Sequence, residues 1–159
     1  MSEEKGCTNC SDKSDVHVLT WNPKEWLELT DAVIDAHITA LDFGSSIRMR
    51  WSVGARKQGI GVGSTVFLLR QNNDRGIIAR GEVVGEIFQA PHWNESGSDT
   101  NYIEFKLTGM KKINERIPTE RLLVEINCES EELWNQIYGS GRTLCEVDGI
   151  NLCALWDSH

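Results

Sequence analysis

The aromatic residues of this chain are numerous and stand where its secondary-structure elements are predicted to end. Six tryptophans occur among 159 residues, and their positions do not follow a single core stripe. An aromatic face beside arginines is what a site needs to stack a nucleobase while holding the backbone. The candidate base-binding residues are Trp21, Asn22, Trp51, Ser52, Phe88, His92 and Trp93. For each aromatic residue taken alone, the alternative to base binding is a structural role in closing one end of a β-barrel.

The positive charge is concentrated in one stretch of the chain. The whole sequence carries a net charge of −8, yet residues 44–81 hold one acid, Asp74, against seven cations: Arg48, Arg50, Arg56, Lys57, Arg70, Arg75 and Arg80. The guanidinium fork of arginine suits bidentate contacts with phosphate. An acidic protein with one arginine-rich patch is suited to a defined stretch of polyanion rather than to coating nucleic acid. A solvated loop with an accidental bias is the alternative.

Motifs of catalysis are poorly represented. The sequence contains no GxSxG, Walker A or HExxH pattern, and its four histidines form no cluster typical of a metal-dependent nuclease. A small nucleotide hydrolase would need a general base, for which His92 or Glu86 is the candidate, and neither has an evident partner to tune its pKa. We therefore expect a binding protein rather than an enzyme acting alone.

The cysteines do not predict a metal site. Five cysteines with no apolar leader favour reduced thiols in the cytoplasm over a disulfide framework. Cys7 and Cys10 form a CxxC pair, whereas a structural zinc site takes four ligands and the other cysteines lack ligand-like spacing. We expect no metal or other cofactor, and residues 1–15 read as a flexible tail. A protein-interaction or redox module built on the CxxC pair is a further alternative.

The remaining residues, 16–159, read as one small α+β domain with a curled sheet or barrel and a few helices. No apolar run is long enough to span a membrane. A helix is expected after the first strand, with Asn22 as its N-cap, Pro23 at its first position and Glu25 completing a capping box. The expected strands are 16–20, 64–70, 77–88, 101–110 and 122–126, with a loop over the arginine-rich residues around 48–57, a short helix at 130–138 and an amphipathic segment at 150–156.

Several short motifs occur in order along most of the chain. They are Leu19-Thr20-Trp21-Asn22-Pro23, Arg50-Trp51-Ser52-Val53-Gly54, Val66-Phe67-Leu68-Leu69-Arg70-Gln71, Gly76-Ile77-Ile78-Ala79, Pro91-His92-Trp93 and Leu155-Trp156. Together they resemble the EVE domain found at the N-terminus of EVE–HNH modification-dependent restriction endonucleases. The resemblance implies a PUA-like fold, related to the YTH readers of methylated adenine in RNA.

The resemblance also implies a pocket for a modified base, typically 5-methylcytosine or 5-hydroxymethylcytosine, that is flipped out of duplex DNA. On this chain it implies stacking by Trp51 with Trp93 or Phe88, and reading of the base edge by Asn22 and Ser52. The cations implied to hold the flanking phosphates are Arg48, Arg50, Arg56, Lys57 and Arg70. The HNH nuclease that accompanies such domains is absent from this sequence, so a fused or separate nuclease is an expected partner. A reader of modified RNA is the first alternative.

Overall fold

The computed structural model describes residues 12–54, 56–91, 99–137 and 141–159. These residues form a mixed eight-stranded sheet with three α-helices. The strands are β1 (Lys13–Trp21), β2 (Arg48–Gly54), β3 (Thr65–Arg70), β4 (Gly76–Val83), β5 (Phe88–Pro91), β6 (Asp99–Met110), β7 (Ile117–Pro118) and β8 (Arg142–Cys145). The helices are α1 (Asp31–Asp42), α2 (Thr119–Glu125) and α3 (Glu146–Ser158), with 3₁₀ turns at Ile113–Glu115 and Leu133–Asn135.

The sheet has the strand order β2-β6-β4-β3-β1-β8, while β5 pairs with β6 and β7 pairs with β4. β1 and β3 are parallel, and the other paired strands run antiparallel. β2 and β8 stand at opposite ends of the order and do not pair among the described residues, so the sheet is open. The α+β class predicted from the sequence is confirmed, and the closed form of the barrel is not present.

The central strands are buried on both faces of the sheet. In β1 and β3, Leu19 and Leu68 enter one hydrophobic cluster together with Ile34 of α1. Their neighbours Val18 and Phe67 enter a second cluster that includes residues of α2 and α3. Because successive side chains of a strand point to opposite faces, helices on both sides require a continuous apolar run rather than an alternating one. No helix in the described residues is long and apolar enough to cross a membrane.

The first helix begins later than the sequence predicted. Residues 22–30 contain a turn but no helix, and α1 starts at Asp31 with Thr30 as its N-cap. The Thr30 hydroxyl oxygen accepts the backbone N–H of Val33 at 3.2 Å. The prediction of Asn22 as the N-cap, with Pro23 opening the helix, is therefore wrong. Thr30 satisfies a free N–H of the first turn, which is the physical requirement for a cap.

The arginine-rich stretch expected to be a loop is strand β2 in its first half. β2 pairs with β6 from Arg48 opposite Lys106 onward, and its buried side chains, Trp51 and Val53, alternate with more exposed ones. Residues 122–126, expected to be a strand, lie mostly in α2. Leu122 and Ile126 are four residues apart and both reach the second cluster, which a helix allows. The helix expected at 130–138 is reduced to the 3₁₀ turn at Leu133–Asn135 among its described residues.

The strands expected at 64–70 and 77–88 pair as an antiparallel hairpin, β3 and β4, although β4 ends at Val83 and β5 begins separately at Phe88. The register of β4 against β6 shifts between Arg80 and Gly81. A Cβ atom at Gly81 would lie 2.3 Å from the ring of Phe105. This close approach explains why a glycine occupies the position.

Candidate functional site

A cleft of about 970 Å³ lies between the segment that follows β1, helix α1 and strand β2. This volume is at the upper end of the range typical of ligand sites. Its lining includes four of the seven residues that the sequence proposed for base binding: Trp21, Asn22, Trp51 and Ser52. We refer to this space as the cleft. It is also lined by Thr20, Glu25, Trp26, Glu28, Leu29, Val33, His37, Arg48, Met49, Arg50, Gly54, Gln71, Pro91 and Tyr102.

Trp51 forms part of the inner wall of the cleft. Only 8 % of its surface is exposed, and its indole Nε1–H donates to the carbonyl of Thr20 at 2.9 Å. This hydrogen bond ties β2 to the end of β1. The half-buried ring of Trp26 meets Trp51 edge to face, with 6.1 Å between the ring centroids. Trp26 is therefore the more accessible aromatic surface of this pair.

Trp21 holds the turn that carries Trp26. It is 2 % exposed, and its Nε1–H donates to the Trp26 carbonyl at 2.8 Å. The guanidinium of Arg70 lies 4.9 Å from the centroid of the Trp21 ring, a cation–π distance. The backbone N–H of Gln71 donates to the Trp21 carbonyl at 2.8 Å. Trp21 therefore positions neighbouring groups and offers little surface to a ligand.

Asn22 is oriented by two hydrogen bonds to its side-chain oxygen. Its Oδ1 accepts the backbone N–H of Lys24 at 3.0 Å and the Nδ2–H of Asn72 at 2.5 Å. The first bond is an Asx turn, a local arrangement that competes with helix formation. Because Thr30 caps the helix, the capping role does not compete with ligand contacts for Asn22. The Ser52 Oγ accepts the N–H of Gly54 at 3.3 Å.

Phe88 does not line the cleft itself, but it stacks with two residues that do, Tyr102 and Arg50. Its ring stacks on Tyr102 with 5.9 Å between the centroids. The Arg50 guanidinium lies 5.0 Å from the Phe88 centroid and 5.4 Å from the Tyr102 centroid. Both Arg50 and Tyr102 line the cleft, and the Tyr102 hydroxyl donates to the Pro91 carbonyl at 3.0 Å. The two remaining base-binding candidates, His92 and Trp93, lie outside the described residues.

The five cations proposed to hold phosphate do not share one surface. Arg48 and Arg50 line the cleft, and Arg48 lies 3.7 Å from Glu104 of β6. Arg56 is half-buried, and burial lowers the pKa of its guanidinium, which lies 3.4 Å from the ring Nδ1 of His17. Lys57 and Arg70 are not part of the lining, although Arg70 covers Trp21 from outside. The structure thus brings two of the five to the cleft.

Acidic side chains also line the cleft. Glu25 and Glu28 contribute to the same wall as Trp26, so the lining carries both signs of charge. Glu86, the alternative general base, is exposed and does not contribute to the lining. The positive charge of the cleft therefore comes from the two arginines of β2, and its negative charge comes from the two glutamates.

A buried histidine outside the cleft was missed by the sequence reasoning. His17 is fully buried in β1; its Nε2 lies 3.0 Å from Asp15 Oδ1, and its Nδ1 lies 2.8 Å from Thr143 Oγ1. The Ser64 hydroxyl donates to the same Asp15 oxygen at 2.6 Å, not to the imidazole. Burial lowers the pKa of His17, and the nearby Arg56 charge lowers it further. The Asp15 carboxylate and the Thr143 hydroxyl contact the two imidazole nitrogens, so His17 links strand β1 to strand β8.

No protein-family model and no curated protein sequence matches this chain. Solved structures resemble it in fold. A hypothetical protein from Leishmania major shares 12 % identity over 94 % of this chain and 98 % of its own, with a TM-score of 0.64. A protein from Pseudomonas putida shares 11 % identity over 88 % of this chain and 97 % of its own, with a TM-score of 0.56. A point mutant of ZmASCH from Zymomonas mobilis shares 12 % identity over 89 % of this chain and 99 % of its own, with a TM-score of 0.49.

The first two similarities cover almost the whole of each chain and show a shared fold. At 11 to 12 % identity, these similarities show a shared fold but not a shared function, because proteins of one fold often have unrelated functions. The fold of this chain is an open mixed sheet flanked by helices.

Proposed function

We propose that this chain binds nucleic acid and takes one extruded base into the cleft. The observation that carries the proposal is the convergence of an accessible indole, Trp26 against Trp51, with the Asn22 side chain and two arginines of β2 around one space. Stacking on an aromatic side chain contributes roughly 1–3 kcal/mol per base. Amide groups can then read the base edge while the arginines meet the flanking phosphates.

The base we propose is a modified cytosine, 5-methylcytosine or 5-hydroxymethylcytosine, in duplex DNA. The support for this finer statement is the ordered set of motifs shared with the EVE domain. Extrusion of a base costs a few kcal/mol, which contacts with Trp26 and Trp51 can offset. Burial of one methyl group contributes only about 0.8 kcal/mol, roughly a fourfold preference over plain cytosine. The domain is therefore a modest discriminator.

In this proposal the chain reads the base and does no chemistry on it. DNA cleavage in a modification-dependent restriction system would come from an HNH nuclease, fused or separate. Of the two candidate bases of the hydrolase alternative, Glu86 lies outside the cleft lining, and His92 lies outside the described residues.

The test is a titration of the full chain against one fluorescent duplex in three versions: cytosine, 5-methylcytosine and 5-hydroxymethylcytosine. A single-stranded RNA carrying 5-methylcytosine is a fourth arm. Trp26→Ala removes the accessible ring but keeps the backbone carbonyl that accepts from Trp21. Phe43→Ala is the matched control, because Phe43 is an 84 % exposed aromatic that does not line the cleft.

We expect tighter binding to a modified duplex, lost in Trp26→Ala and retained in Phe43→Ala. Equal binding to all three duplexes, unchanged by either substitution, would contradict base binding and leave phosphate contacts alone. Preference for the RNA would keep the base site and replace DNA as the ligand. Absence of binding in all four arms would reject the proposal.

A further inference from the structure

The side-chain amide of Asn22 can offer the cleft only one kind of hydrogen bond. Its Oδ1 accepts the backbone N–H of Lys24 at 3.0 Å and the Nδ2–H of Asn72 at 2.5 Å, which uses both lone pairs of the oxygen. Because a backbone N–H only donates, the Lys24 contact also fixes which end of the amide is the oxygen. Among the described residues the Asn22 Nδ2–H groups have no acceptor. Asn22 therefore presents a donor, not an acceptor, to a ligand in the cleft.

Glu25 brings an acceptor to the same part of the cleft. Residues Asn22 to Glu25 form a turn in which the Asn22 carbonyl accepts the backbone N–H of Glu25 at 3.0 Å. A turn of this kind holds the α-carbons of its first and fourth residues within about 7 Å of each other. Glu25 is exposed and lines the cleft, and its carboxylate has no hydrogen bond or ion pair with the described part of the chain. The turn therefore places a donor and a charged acceptor close together, beside the ring of Trp26.

The Watson–Crick edges of the nucleobases differ in the order of their donors and acceptors. On cytosine the ring nitrogen N3 accepts and the neighbouring N4 amine donates, and adenine repeats this order with N1 and its N6 amine. On thymine and uracil both roles are reversed, because N3 carries a hydrogen and O4 accepts. In the same orientation, thymine would turn its N3–H toward the Asn22 donor and its O4 toward the Glu25 carboxylate, and both contacts are repulsive.

We propose that Asn22 and Glu25 select a base that carries an exocyclic amine beside a ring nitrogen acceptor. Asn22 donates to the ring nitrogen, and the Glu25 carboxylate accepts from the amine, which is a common carboxylate contact with cytosine. This inference rests on the proposed function, because it assigns the edge of the base that is extruded into the cleft. It adds a specificity that the methyl group does not supply, since 5-methylcytosine and thymine carry the same methyl group.

The test compares 5-methylcytosine with thymine at one position of a fluorescent duplex, with an abasic site opposite the tested base in both. Neither base is paired there, so the different strengths of the two base pairs do not enter the affinity. We expect the full chain to bind the 5-methylcytosine duplex about fivefold or more tightly than the thymine duplex. Trp26→Ala should weaken binding of the 5-methylcytosine duplex, because the indole is the stacking surface of the site.

Glu25→Gln should bring the ratio of the two affinities close to one. A glutamine amide can accept from the N4 amine or donate to O4, so it serves both bases. The matched control is Asp35→Asn, which removes the same charge from an exposed residue of α1 that does not line the cleft. This control should keep the wild-type ratio, since a general change in attraction for phosphate cancels when the two affinities are divided. Circular dichroism checks that each variant is folded.

The titrations use the chain in its oxidised form. Cys128 is disulfide-bonded in this structure, whereas Cys145 and Cys153 are free, so the expectation of reduced thiols throughout is wrong for Cys128. A buffer without a thiol reductant keeps this bond intact. None of these three cysteines lines the cleft.

Equal affinity of the wild-type chain for the two duplexes, with binding still weakened by Trp26→Ala, would overturn the inference and leave the proposed base site intact. An unchanged ratio in Glu25→Gln would overturn the assignment to Glu25. An equal loss of the ratio in Asp35→Asn would also overturn it, because the effect would then come from charge at a distance. Binding that Trp26→Ala does not weaken would instead reject the proposed function, and this inference with it.

Discussion

Trp26 and Trp51 share the cleft but differ in what they can offer a ligand. Trp51 is 8 % exposed with its indole N–H bonded to the backbone, whereas Trp26 is half-buried beside it. Trp26 is not among the base-binding candidates that the sequence predicted. The distinction required the tertiary contact between the two rings, which no local spacing contains.

At the same scale, four of the residues named from the sequence line one cleft, but the contacts of each side chain could not be predicted. Trp21 and Asn22 were placed at a strand end by their position after an apolar run, and the structure places both at the cleft. The indole N–H of Trp21 nevertheless donates to the Trp26 carbonyl in the turn that follows β1. Exposure of an individual ring depends on long-range packing, so residue types and order could not decide it.

His17 should make the stability of the fold depend on pH. Its pKa is lowered in the folded state, chiefly by burial, so the unfolded chain binds a proton at higher pH than the folded chain does. The free energy of unfolding should therefore fall as the pH drops below about 6.5, the ordinary histidine value, toward the lowered folded pKa. Urea denaturation at a series of pH values measures this.

The control for the His17 prediction is His37→Gln, since His37 lies in α1 and is half-buried. His17→Gln should flatten the pH dependence in this window, whereas His37→Gln should leave most of it. An unchanged profile in His17→Gln would assign the pH dependence to other groups.

At the scale of elements, the hairpin of β3 and β4 was predictable because turn residues separate two runs of β-formers. β2 was missed because its arginines suggested a loop, although exposed and buried residues alternate along much of it. The run Leu122–Ile126 suggested a strand by composition. Burial of its first and last residues in one cluster favours the helix instead.

The start of α1 gives a prediction at this scale. Thr30→Ala removes the hydroxyl that accepts the N–H of Val33, so we expect a loss of about 1 kcal/mol in the free energy of unfolding. Thr30→Ser keeps an oxygen in place and is the matched control, expected to retain most of the stability. Chemical denaturation of both variants is the measurement. Equal losses would show that packing of the threonine methyl, rather than capping, matters here.

At the scale of the whole molecule, the fold disperses the basic segment that the sequence concentrates. Arg56 turns inward to His17, Arg75 donates to the Trp134 carbonyl, and Arg80 pairs with Asp157 of α3. Arg48 and Arg50 are the cations of this segment that line the cleft among the described residues. A linear count of charges overstated the electropositive surface because it ignored which side chains support the fold.

The proposed DNA binding should therefore depend only weakly on salt concentration. Two phosphate contacts predict a slope of about −2 for the logarithm of the association constant against the logarithm of salt concentration. Arg50→Gln should reduce the magnitude of this slope by about 1. Arg121→Gln removes the same charge from the exposed Arg121–Glu125 pair of α2 and should change nothing. A wild-type slope several times steeper would mean that many more cations engage the backbone.

The placement of the tryptophans has an optical consequence. Trp21, Trp26 and Trp51 surround the cleft, whereas Trp134 is fully buried in the second cluster, with its N–H on the Ile126 carbonyl. A base stacked on Trp26 would quench part of the ultraviolet emission and leave the signal of the buried indole unchanged. Intrinsic tryptophan fluorescence can therefore report two events without an added label. The tryptophans of the cleft report ligand binding, and Trp134 reports unfolding of the second cluster.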